Sequence, residues 1–139
     1  WQASVDGDPG ITPIYDFTTW REGMAFPGST QLGLAKRLLE ELPWHRMEPH
    51  PEWVDGGALA AGIRGEVLVA YRPKRGIYDW GGFRVAELDP KVRYTAFWFD
   101  PATGRRFDLG EVTGEASWST PAVPSPQDWV LVMRASGAK

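Results

Sequence analysis

Apolar residues change their spacing twice along this chain. Residues 1–27 hold no sustained period: "VDGDPGITP" is a polar loop, and "IYDFTTWREGMAFPG" mixes aromatics with charges. Beyond them Leu32, Ala35, Leu38, Leu39 and Leu42 recur at helical intervals, with Lys36, Arg37, Glu40 and Glu41 on the opposite side. Pro27-Gly28-Ser29 supplies a break and a capping hydroxyl, and Pro43 a stop. The spacing therefore predicts one helix over residues 30–42. The proline-punctuated "PWHRMEPHPEWVDGG" that follows is too broken for regular structure.

After this connector, short strand-like runs arrive at near-regular intervals, at residues 58–64, 66–72, 77–84, 93–99, 105–112, 116–119 and 129–134. Turn signals such as Arg64-Gly65, Asp89-Pro90 and Thr113-Gly114 separate most of them. Strands in series with no helix between them indicate antiparallel pairing. The fold class expected is mainly β, an antiparallel β-sandwich of seven to eight strands preceded by one α-helix. No internal repeat is present.

The stretch "YTAFWFDPATGRRFDLGEV" is the most ordered part. Tyr94, Ala96 and Trp98 share one face of a strand, and Thr95, Phe97 and Phe99 the other. Bulky residues on both faces require cover on both sides, one supplied by the facing sheet and one by the connector or helix. Asp100-Pro101-Ala102-Thr103-Gly104 reads as a tight turn. Asp100 bonds the backbone ahead, Pro101 presets φ, and Gly104 takes the left-handed conformation at the hairpin exit.

Composition narrows the functional classes. The chain has 139 residues, enough for one compact domain with an appended segment and too few for a complete (β/α)8 barrel, which needs roughly 200 or more. Its net charge of −3, with Lys and Arg scattered, argues against nucleic acid. No apolar run approaches the roughly 18 residues of a membrane helix, and no signal peptide is read. Trp1 opens the chain without a Met, so a processed product or an excised piece is expected and the compartment stays open. With no Cys, disulfides and thiolate metal sites are excluded.

Candidate chemistry is thin. His45 and His50, with Glu48 between them, match no helical ligand spacing, so no metal is expected and no cofactor is implied. Glycosidic chemistry needs a pair of carboxylates. Of the closest in sequence, Glu40/Glu41 sit on a solvated helix face, Asp6/Asp8 in a loop, and Asp100 serves the turn of the Asp100/Asp108 pair. No nucleophile elbow or phosphate loop is found. The remaining candidates are aromatic. A flat ring suits the apolar face of a pyranose, which singles out Tyr78 and Trp80 in "IYDWGG" and Trp118 in "ASWST" as ligand-binding residues. Trp44, Trp98 and Trp129 read as core or interface packing, and Trp53 ends the connector.

The segments "PGSTQLGLAKRLLEELPWHRMEP", "VLVAYRP", "YTAFWFDPATG" and "DWVLVM", in this order, resemble the C-terminal region of a bacterial family of apiosidase-like (β/α)8 glycoside hydrolases. In that family a small β-sandwich, labelled a collagen-binding domain of a collagenase, follows the barrel. The resemblance implies that residues 1–42 are the last barrel loop and helix, with Trp1-Gln2 near the mouth of the barrel's cleft, and that residues 43–139 are the appended domain. It implies catalytic carboxylates upstream, a preceding barrel as partner, and polysaccharide or collagen as ligand. Leu32, Ala35 and Leu39 are then expected to fold back on the sandwich or to bury against a second copy in a homodimer.

Overall fold

Strand β8 (Trp129–Ala135) lies at the centre of the architecture in the computed structural model, which describes residues 19–137. It pairs antiparallel with β3 (Val67–Arg72) on one side and β5 (Tyr94–Phe99) on the other. Beyond β3 come β2 (Leu59–Ile63) and β1 (Glu48–Pro49), and beyond β5 comes β6 (Arg106–Val112). The result is a six-stranded sheet in the order β1-β2-β3-β8-β5-β6. A second antiparallel pair, β4 (Arg84–Val85) with β7 (Trp118–Ser119), packs over one face. Helix α2 (Pro27–Glu40), preceded by the short α1 (Trp20–Gly23), covers the other.

Strand alternation assigns each residue to one of two cores. Leu68 and Ala70 of β3, Trp129, Leu131 and Met133 of β8, and Tyr94, Ala96 and Trp98 of β5 meet Phe83, Val85 and Val123. Their neighbours in sequence, Val67, Val69, Val130, Val132, Phe97 and Phe99, meet Leu34, Leu38 and Leu42 from the helical segment. The central strands are thus apolar on both faces because both faces are covered, as the pattern in 94–99 predicts. Rings of Phe83 and Phe107 stand edge-on to Trp98 and Trp129 at centroid separations of 5.9 and 5.4 Å, an arrangement favoured by the aromatic quadrupole.

Several expectations need correction. The helix spans 27–40 rather than 30–42, because Pro27 occupies its first turn, where a missing N–H costs nothing. Ser29 lies inside it, donating to the Gly23 carbonyl at 3.2 Å instead of capping. The stripe that closes on the sheet is Leu34, Leu38 and Leu42. Within this chain Leu32 and Leu39 do not fold back; they stand 64% and 37% exposed, with Ala35 exposed between them. Residues 77–84 do not form a strand: Asp79 holds this segment as a loop, and pairing begins only at Arg84. The connector contributes β1 and two short 3-10 turns, Trp44–Arg46 and Pro51–Trp53. Of the two readings of Trp44, core and interface packing, its 57% exposure removes the first.

The turn between β5 and β6 follows its sequence closely. Asp100 is buried, and its carboxylate accepts from the Ala102 N–H at 2.8 Å and the Thr103 hydroxyl at 2.7 Å. Gly104 has φ +78°, and a Cβ there would fall 2.6 Å from the Leu34 side chain, so α2 packs directly on the turn. Burial alone would push the Asp100 carboxyl up, but hydrogen bonds from Thr103, Ala102 and Gln127 hold it below the ordinary carboxylate range. A carboxyl depressed in the folded state lends stability above its unfolded pKa, and this is lost as pH falls through the folded value. Asp100→Asn is therefore expected to lower the urea midpoint at neutral pH and to flatten its decline in acid. Parallel acid limbs for the two proteins would contradict this.

Candidate functional site

The segment between β3 and β4 brings two of the three aromatic candidates to the surface. Its end is fixed by Arg72, whose guanidinium is buried and pairs with the Asp79 carboxylate. Asp79 also accepts from the Arg75 N–H at 2.9 Å. That bond first, then the Arg72 guanidinium working against desolvation, holds the Asp79 carboxyl below its usual range. The Trp80 carbonyl accepts from the Val123 N–H at 3.2 Å, and the Phe83 N–H donates to the Thr120 hydroxyl at 3.0 Å. With its backbone tied in this way, the loop presents Ile77, Tyr78 and Trp80 outward at 74%, 87% and 47% exposure.

Trp118 belongs to a different setting. It lies on β7 opposite Val85, half buried and packed against the inner core. Tyr78 and Trp80 lie on the loop and Trp118 on the ribbon, so the three rings do not form a ledge on one sheet face. Trp53 is buried, with the His50 ring stacked on it at 3.7 Å and nearly parallel. His50 also meets Glu52 at 2.8 Å. Among the described residues no group of His, Asp or Glu is arranged to hold a metal ion.

An open groove of about 940 Å³ runs between the start of α2, the β5–β6 turn and the segment before β8. Leu32, Pro101 and Pro126 supply apolar walls, and Tyr71, Lys74 and Asp128 line its other side. Asp128 is the one carboxylate among the lining residues. Both its oxygens are occupied, by the Tyr71 hydroxyl at 2.7 Å and the Lys74 N–H at 2.8 Å. Of the other carboxylates weighed in the sequence, Glu41 is taken up by Arg106 and Arg134, which also lie over the Phe97 ring. Asp6/Asp8 and Trp1-Gln2 lie outside the described residues.

Sequence reasoning missed the Arg72–Asp79 anchor and the groove. The only signal for the anchor was a charged residue at an inward position of β3, where a lone cation needs a partner. The groove joins residues far apart in the chain, and no local pattern announces it.

No protein-family model matches the chain, and no curated protein sequence does. Among solved structures it is similar to a glycoside hydrolase with TM-score 0.70 and 18% identity, over 93% of this chain and 31% of that one. It is also similar to a glycoside hydrolase family 5 protein from Bacteroides vulgatus, with TM-score 0.69 and 19% identity, over 94% of this chain and 29% of that one. The chain thus shares a fold with a region spanning under a third of each of these proteins.

Proposed function

We propose that the chain is the non-catalytic C-terminal accessory domain of a glycoside hydrolase, bracing the catalytic barrel that precedes it in the same polypeptide. The observation that carries this reading is the double use of α2. Leu34 and Leu38 close the sandwich, while Leu32, Ala35 and Leu39 are left to solvent together with exposed Met24 and Phe26. Large apolar side chains exposed along one helix are seldom left open by a monomer, and a barrel docked on α2 would cover them. In this reading residues 1–42 complete the barrel, residues 43–139 are the appended sandwich, and α2 serves both bodies. The small share of each structural neighbour that is matched supports a region appended to a larger enzyme.

Glycoside hydrolysis commonly requires two carboxylates flanking the scissile bond. The groove offers Asp128 alone, with one hydrogen bond already on each oxygen, which supports placing the chemistry elsewhere in the parent enzyme. The isolated chain is expected to release no reducing sugar from polysaccharides between about pH 4 and pH 8. Release that disappears in Asp128→Asn would overturn the non-catalytic assignment. A second role, helping to hold polysaccharide against the enzyme, is favoured by the outward rings of Tyr78 and Trp80; half-buried Trp118 contributes through the packing of β7.

A further inference from the structure

We infer that the loop of residues 73–82 is a preformed site for an acidic polysaccharide, with Tyr78 and Trp80 stacking on sugar faces and Lys74 and Arg75 meeting its carboxylates. This rests on the polysaccharide-holding role proposed above and narrows its ligand. A flexible loop would lose entropy on ordering around a ligand. This one is already tied by Asp79 to Arg72 and to the Arg75 N–H, and by the Trp80 carbonyl to Val123. The buried Arg72 side chain has no alternative carboxylate among the described residues, and its Nη1 has no partner at all. The anchor therefore acts as a strut whose effect is to keep two large rings in water.

Charge selects the class of sugar. From Arg72 to Gly82 the chain carries Arg72, Lys74 and Arg75 against Asp79 alone, although the whole protein has net charge −3. Asp79 neutralises Arg72. Among the described residues the side chains of Lys74 and Arg75 form no ion pair. They flank the loop on two sides: Lys74 lines the groove, and the Arg75 guanidinium lies across the backbone of Gly57. The nearby carboxylates of Asp55 and Asp128 accept backbone N–H bonds from Arg84 and Lys74. Exposed rings on a loop that also carries two cations without an ion-pair partner among the described residues match a polymer with flat apolar faces and regularly spaced carboxylates, as in a uronic-acid polysaccharide.

Calorimetric titration of the chain tests this, with polygalacturonate, a neutral glucan, a triple-helical collagen peptide and anionic lipid vesicles as probes. Binding is expected to polygalacturonate, about tenfold weaker in Tyr78→Ala and in Trp80→Ala. It is expected to weaken as salt rises from about 50 to about 500 mM, and to be unchanged in Trp44→Ala, a ring exposed elsewhere. Tyr78 is so exposed that its replacement leaves the fold intact, so a lost signal there reads the site. Equal binding of neutral glucan would overturn the acidic preference and keep the polysaccharide role. Binding to vesicles or collagen alone, or to nothing, would overturn both and leave the docking role of α2 standing.

Discussion

Trp98→Ala is expected to lower the free energy of unfolding by about 3–5 kcal/mol, among the largest losses from a single truncation of a described residue. Trp98 has no exposed surface and sits on β5 between Phe83 and Trp129, with ring centroids 5.9 and 6.5 Å away. Removing it empties the middle of the inner core at the point where β5, β8 and the β4–β7 side converge. Since domains of this kind are stable by only about 5–15 kcal/mol, the variant should unfold at much lower urea than the parent. The indole Nε1 of Trp98 is buried without a hydrogen-bond partner. Trp98→Phe removes that unsatisfied N–H together with part of the ring, so its loss should be much smaller than that of the alanine variant. A change under about 1 kcal/mol for Trp98→Ala would mean that this core is not packed as described.

Leu38→Ala is the second large effect, an expected loss of about 2–4 kcal/mol. Leu38 is 4% exposed and contributes, with Leu34 and Leu42, the helix side of the outer core. The same truncation six residues earlier, Leu32→Ala, is expected to change stability by no more than about 0.5 kcal/mol, because Leu32 is 64% exposed in this chain. Urea unfolding of the two variants side by side separates the stripes of α2. Equal losses at the two positions would show that the helix is rotated from the orientation described.

The β architecture was legible because its periods are local. Alternation in 94–99 announced two covered faces, and Asp100 through Gly104 announced their own turn through residues with one evident conformational use. The helix was legible as a helix, but its orientation was not. Leucines at 32, 34, 38, 39 and 42 surround more than one face, and only packing against Val67, Phe99 and Val132 of β3, β5 and β8 decides that the 34–38–42 stripe turns inward. Residues 77–84 read as a strand from sequence because Ile77, Tyr78 and Trp80 have high β-propensity, a preference that yields readily to context. Here the Asp79 anchor wins: it ties the segment to itself and to Arg72, leaving no free ladder. The same anchor turns Tyr78 and Trp80 outward on a loop, whereas the alternation places them on a strand. Trp118, in an equally polar context, is instead drawn half into the core by its pairing opposite Val85.

The central claim is that the outer stripe of α2 is a docking face for a larger body. Sedimentation equilibrium of the isolated chain tests it most directly, comparing the parent with a Leu32→Lys/Leu39→Lys variant. On this account the parent should associate through this stripe, its mass rising toward a dimer with concentration, while the variant stays monomeric with an unchanged urea midpoint. A parent that remains monomeric at every concentration, with the stripe open to water, would contradict the claim.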